Sequence, residues 1–142
     1  MKLQTPAFEP NQPVPAKYTA DGEDVNPPLV IDDLPDGTKS LVLIVDDPDA
    51  PSKTWVHWVV YGIAPVAEIK EDSVPGKQGS NDFGRQRYGG PAPPSGTHRY
   101  FFKVYALDQE VDWEEGLSKQ EVEQRMKGHV LDHAELVGTY SR

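Results

Sequence analysis

The sequence predicts a mainly β, sandwich-type domain with one principal helix, and three observations carry that reading. Residues 55–61 are apolar on both alternating faces, residues 98–107 alternate between an apolar and a charged side, and a single stretch beginning near Lys119 repeats its apolar residues at helical spacing. At 142 residues the chain fits one domain, 1–142, long enough to bury roughly two-thirds of its unfolded surface.

Residues 1–28 contain six prolines, which exclude a long helix, while Phe8, Val14 and Tyr18 supply anchors, so this part reads as extended edge strands. Residues 29–31 and 40–45 are β-rich apolar runs separated by Pro35-Asp36-Gly37, a turn cluster that predicts a hairpin-like strand pair. The run 55–61 predicts a central strand with His57 as its only ionisable group; simple alternation puts Trp55 on the His57 face and Trp58 on the other. In 98–107, His98, Tyr100, Phe102, Val104 and Ala106 share one face and Arg99 and Lys103 mark the other.

Ser118 followed by Glu121 is a capping-box pattern, and Val122, Met126 and Val130 continue it at helical spacing, predicting a helix near 119–132 with Gly128 as its weak point. Residues 134–140 read as a closing strand or a helix end. Between 71 and 97 there is no hydrophobic period, but six glycines and four prolines. A connection of that length in a compact domain points to function, and Phe83 and Tyr88 argue that it is ordered. It leads directly into His98 and is expected to form one wall of a pocket.

Net charge is −9, which repels phosphate backbones and anionic lipid surfaces at long range. Nucleic-acid binding and stable membrane insertion are therefore not expected, and any anion must be captured by local geometry. The chain has no cysteine, so no disulfide or thiolate chemistry, and it lacks an apolar leader or a span-length apolar run. A soluble cytoplasmic protein is expected.

Three separated patches concentrate the chemistry: Asp47-Pro48-Asp49-Ala50-Pro51, Trp55-Val56-His57, and Gly96-Thr97-His98-Arg99-Tyr100. A protonated imidazole donates from both nitrogens, so His57 and His98 are suited to gripping an oxyanion while a neighbour such as Asp47 holds the second nitrogen. Asp49 reads as a structural turn residue with its carboxylate in reach of the pocket. Trp55 is the better pocket wall and Trp58 a core residue. Arg85, Arg87 and Arg99 either draw an anion towards the mouth or pair with the abundant carboxylates. His129 and His133, four apart, read as a solvated helix face rather than a metal pair, because the zinc-protease glutamate is missing between them.

Taken together, Tyr18-Thr19-Ala20-Asp21-Gly22, Asn26-Pro27-Pro28-Leu29, the Asp-Pro-Asp-Ala-Pro run from 47, Asn81-Asp82-Phe83-Gly84, Gly89 through Tyr100, and Gly138-Thr139-Tyr140 resemble the phosphatidylethanolamine-binding protein family, in particular its prokaryotic Raf kinase inhibitor-like branch. The resemblance implies two antiparallel sheets in a Greek-key, sandwich-like arrangement with one or two peripheral helices. It also implies a small cavity for phosphate-like anions, including phospholipid head groups, lined by Asp47, Pro51, Trp55, His57, Pro93 or Pro94, His98 and Tyr100. A cis bond at Ala50–Pro51 is implied as well. The longer C-terminal segment of eukaryotic members, whose tyrosine lines the cavity, is missing from the prokaryotic branch, and that role is not carried over to Tyr140.

The expected function is a regulatory or inhibitory module that binds a small anion such as phosphate or phosphoethanolamine, with no metal or other cofactor. The family's inhibitors suggest a kinase or a serine protease as partner, the latter met by loops such as 91–95, and its prokaryotic members suggest a homodimer. An enzyme using Asp47, His57 and His98, alone or with a metal, is the lesser alternative, since no nucleophile motif accompanies them.

Overall fold

The computed structural model describes every residue, Met1–Arg142. Its strands are β1 (Lys2–Gln4), β2 (Leu29–Asp32), β3 (Ser40–Asp47), β4 (Trp55–Ile63), β5 (Glu68–Ile69), β6 (Lys77–Gln78), β7 (Thr97–Leu107) and β8 (Val130–Ser141), with one helix, α1 (Lys119–Met126). They form two antiparallel sheets, β1-β2-β5 and β6-β4-β3-β7-β8. After the β3–β4 pair the chain returns along the far side of β3 as β7, a Greek-key-type step.

One core lies between the sheets, with Leu29 and Ile31 from the small sheet against Leu43, Val45, Trp58, Val60 and Phe102 from the large one. A second core covers the outer face of the large sheet, where Val122 and Met126 of α1 and the neighbouring Leu117 pack on Val42, Ile44, Val59 and Tyr61. β3 is buried along its whole length, and two of its bounding strands, β4 and β7, saturate both of its edges. No helix is long and apolar enough to cross a membrane.

Four sequence-based expectations change. Runs 29–31 and 40–45 are not a hairpin: β2 pairs with β1 and β5, and β3 belongs to the other sheet. The turn at Pro35-Asp36-Gly37 does form, with Gly37 at φ 86° and the Thr38 amide on Pro35 O, but it carries the chain between sheets. The segment 1–28 is mostly irregular instead of strand; beyond β1 it contains a 3-10 turn, Ala16–Tyr18, and lies against β8 through the amides of Asn11 and Val14 on Val137 O and Thr139 O.

The helix stops at Met126 and not near 132. Its capping box forms as predicted, with Ser118 Oγ accepting from the Glu121 amide and the Glu121 carboxylate accepting from the Ser118 amide. Gly128, at φ 81°, turns the chain into β8 at a conformation that side chains resist. His129 and His133 are therefore not on a helix: His129 pairs with Asp108 at 2.9 Å and His133 stacks on Tyr105.

The fourth change concerns the site directly. Asp46 pairs with Val56 and Val45 with Trp58, so His57 is an extra residue in β4, a β-bulge. The bulge places two consecutive side chains on the inner face, His57 towards the cavity and Trp58 in the inter-sheet core, so Trp55 and Trp58 do not face opposite ways.

Candidate functional site

At one end of the large sheet, β3, β4 and β7 deliver Asp47, His57, His98 and Tyr100 to a cavity of about 320 Å³. All four are nearly sealed by their neighbours, with exposures of 3, 2, 7 and 1%. Trp55 and Phe83 form an aromatic side, and Ala50, Pro51, Ala92, Pro93 and Pro94 the rest of the rim. Every sequence-predicted site residue except Asp49 thus lines the cavity.

The approach to Pro51 is shaped by hydrogen bonding. Asp47 Oδ1 accepts from the Asp49 amide at 2.8 Å, an Asx-type turn, and Ser52 takes a left-handed φ of 75° to complete the bend. The expected cis bond at Ala50–Pro51 is absent; all peptide bonds are trans, and this turn achieves the inward aim of Asp47 instead. Asp49 itself is clamped by Arg99, through its amide, Nε and Nη2, each at 2.9 Å. Those bonds hold the Asp49 carboxyl down at about 2 and direct it away from the cavity, so it anchors the turn beside His98 and is not a lining residue.

Each histidine is oriented by an acceptor. His98 Nδ1 lies 2.6 Å from Asp47 Oδ2, and His57 Nδ1 lies 2.7 Å from the carbonyl of Gly89. Asp47 thus holds one imidazole as expected, while a backbone carbonyl holds the other. Burial pushes the His57 imidazole below its usual range, only partly opposed by the Gly89 carbonyl and by Asp47. Tyr100 packs edge-on against His57 at 5.3 Å, and its phenol is pushed far above its usual value, first by burial and then by Asp47. The Tyr100 hydroxyl is buried and makes no hydrogen bond of normal geometry, with the Ala92 backbone its weak polar neighbour.

The long connection forms the second wall because its backbone follows the outer edge of β4. Asp82 accepts from the Val56 amide and returns its own amide to Val56 O, and the Gly89 amide reaches His57 O. Asn81 clips the intervening loop, accepting from the Phe83 and Arg85 amides and donating to Arg87 O. Phe83 is thereby laid edge-on to Trp55 and His57 at 5.7 and 5.2 Å. Sequence reasoning saw this connection as a wall but not Phe83 as a contact residue; the Asn81-Asp82-Phe83-Gly84 turn, with Gly84 at φ 76°, was the available signal.

No lysine or arginine lines the cavity. Arg99 is taken by Asp49, and Arg85 and Arg87 lie outside. Arg142 binds Asp21 at 2.6 Å and reaches Pro93 O at 3.4 Å, fastening the proline wall from behind. Tyr140 donates to Asp21 and does not line the cavity. Nowhere do three His, Asp or Glu side chains converge as a metal-ligand set, so Asp47, His57 and His98 do not form the two-histidine, one-carboxylate site weighed from sequence.

A family model described as phosphatidylethanolamine-binding protein matches residues 4–141. The UPF0098 protein of Methanothermobacter thermautotrophicus is 50% identical over 150 residues, spanning 100% of this chain and 99% of that protein. UPF0098 protein PH1269 of Pyrococcus horikoshii is 50% identical over 147 residues, spanning 95% of this chain and 74% of its own length. Among solved structures, CT736 of Chlamydia trachomatis superposes with a TM-score of 0.96 at 41% identity, covering 99% of this chain and 97% of its own. YbcL of Escherichia coli, described as a new member of the mammalian PEBP family, gives 0.92 at 28% identity, covering 99% and 98%. Sequence, fold and the placement of the three motifs agree, and the chain belongs to the phosphatidylethanolamine-binding protein family.

Proposed function

We propose that the chain is a binding module for small phosphate-like anions, with a regulatory or inhibitory role in which an occupied cavity alters contacts with a protein partner. The observation that carries this reading is the pair of imidazoles, His57 and His98, each oriented through Nδ1 by an acceptor and brought together by β4 and β7 in one small cavity. The family description adds support for a phosphate-bearing ligand. The absence of cysteine fits a reducing, cytoplasmic setting.

Isothermal titration with inorganic phosphate and phosphoethanolamine tests the reading, comparing the parent chain with folded His57→Ala and His98→Ala variants. Binding by the parent that is lost in both variants is the expected result. A folded parent that binds neither ligand overturns it.

Inhibition of a serine protease through loop 91–95 has less support. Pro91 and Pro93 are buried, with Pro91 O accepting from the Ala20 amide, so only the tip near Pro94 projects. Catalysis also has less support, because the cavity lining contains no serine, threonine, cysteine or lysine to act as a nucleophile.

A further inference from the structure

The proline side of the cavity is a stiff segment with few holds on it. Pro91, Pro93 and Pro94 have a fixed φ and no amide hydrogen, so between Pro91 and Gly96 only Ala92 and Ser95 carry an amide. Neither makes a hydrogen bond of normal geometry, the Ala92 backbone coming only weakly towards the Tyr100 hydroxyl. The two ends are fixed: Pro91 O accepts from the Ala20 amide at 3.0 Å, and Gly96 and Arg142 exchange amide-to-carbonyl bonds at 2.9 and 3.1 Å. Between them one donor reaches the backbone, Nη1 of Arg142 on Pro93 O at 3.4 Å. Pro93 is buried and lines the cavity with Ala92 and Pro94, so its position sets the width of the cavity.

Arg142 is itself held in place. Its Nη2 donates to Asp21 Oδ1 at 2.6 Å and its Nε to Asp21 Oδ2 at 3.2 Å, a two-pronged grip that uses one edge of the planar guanidinium and leaves Nη1 to point at Pro93. Asp21 also accepts from the Tyr140 hydroxyl at 2.7 Å and donates its own amide to Thr19 Oγ1 at 3.1 Å. Arg142 first, then Tyr140, hold the Asp21 carboxyl below its usual range, so the pair stays charged. Residues 19–21 thus carry both the Pro91 contact and the post for Arg142.

The side chains of Asp21 and Arg142 are 41 and 37% exposed, and an ion pair so placed adds little to global stability. Its effect is local, because it is the hydrogen-bonded tether at the middle of the wall. Resting on the reading of the cavity as an anion site, we propose that Arg142 is a positioning residue of that site: fastened to Asp21, it straps Pro93 in place and keeps the cavity closed around an anion that it does not touch.

The test combines nitrogen-15 relaxation at the Ala92 and Ser95 amides with calorimetric titration of inorganic phosphate, on the whole chain and on its Arg142→Ala, Arg142→Lys and Asp21→Asn variants. In Arg142→Ala the order parameters of both amides should fall from near ~0.85 towards ~0.6, while the urea midpoint stays at the parent value. Phosphate should bind about three- to tenfold more weakly, through loss of a preorganised wall. Arg142→Lys keeps the charge without the fork and should bind as weakly as Arg142→Ala, and Asp21→Asn, which leaves Arg142 in place but loosens its post, should move both readouts in the same direction. Unchanged order parameters in Arg142→Ala and Asp21→Asn overturn the strap, as does unchanged phosphate affinity in Arg142→Ala. Full affinity in Arg142→Lys overturns it in favour of a role for the charge alone. A parent chain that does not bind phosphate overturns the anion site, and the order parameters then still decide whether Arg142 holds the wall.

Discussion

Asp46 and Asp47 are neighbours on β3 that face opposite sides of the sheet. Asp47 holds His98 within the cavity, and Asp46, 1% exposed, lies on the outer face between Lys103 at 3.1 Å and Lys119 at 2.8 Å. Asp47 therefore belongs to the site and Asp46 to the attachment of α1. Replacing Asp46 by Ala should lower stability by about 1–3 kcal/mol, since a buried acceptor shared by two lysines is lost, and should leave phosphate affinity unchanged. Asp47→Ala should abolish phosphate binding because His98 loses the partner that orients it. Urea denaturation and phosphate titration on both variants check the pair, and loss of binding on replacing Asp46 would contradict the division.

Tyr100→Phe should separate stability from binding in the other direction. The hydroxyl is buried and makes no hydrogen bond of normal geometry, only a weak approach to the Ala92 backbone, so its removal should change the stability of the unliganded protein by no more than about 1 kcal/mol. Phosphate affinity should fall about tenfold through loss of one donor. Thermal unfolding with and without phosphate reads both effects, and a destabilised apo variant would mean that the hydroxyl already has a structural role.

Gly89 and Gly90, adjacent in the connection that packs against His57, should tolerate a methyl group very differently. A Cβ on Gly89 would lie 2.7 Å from the Phe83 ring, which is partly exposed and can swing aside. A Cβ on Gly90 would meet the backbone oxygen of Tyr18 at 2.4 Å and Thr19 Cα at 2.8 Å. Gly90→Ala should therefore cost about 1–3 kcal/mol or more, and Gly89→Ala less, with a change in ligand affinity through the displaced Phe83. Melting temperatures of the two variants give the order directly.

The parts of the fold legible in the sequence are those whose determinants are local. Ser118 and Glu121 lie three apart and meet in one helical turn, and the alternation from His98 to Ala106 needs only the period of a strand. The sheet change between β2 and β3 was hidden because the Pro35-Asp36-Gly37 turn suits a hairpin equally well; the choice is made by β1 and β5, distant in sequence. The bulge at His57 has no composition signal, since it depends on how β4 registers with Asp46 and Val45. Helical spacing through Val130 concealed the end of α1, which only the left-handed Gly128 decides. Within the site, Asp47, His57, His98 and Tyr100 were recognisable as polar groups on apolar strands. Which acceptor holds which ring was not, because Gly89 O is a backbone atom brought in by the long connection.

The buried His57 gives stability a pH dependence whose sign follows from the direction of its shift. Its imidazole is depressed in the folded protein by burial, so between the folded value and the ordinary value of about 6.5 the unfolded chain binds more protons than the native one. Stability should therefore be complete above about pH 6.5 and should fall as pH drops through that window. The Asp49 carboxyl, held at about 2 by Arg99, contributes in a separate range, its stabilisation being lost only below the ordinary carboxylate value of about 3.9. Urea midpoints in phosphate-free buffer between about pH 7.5 and 5 should decline for the parent chain and decline less for His57→Gln, which has no group to protonate. An identical decline in both proteins would place the titrating group elsewhere.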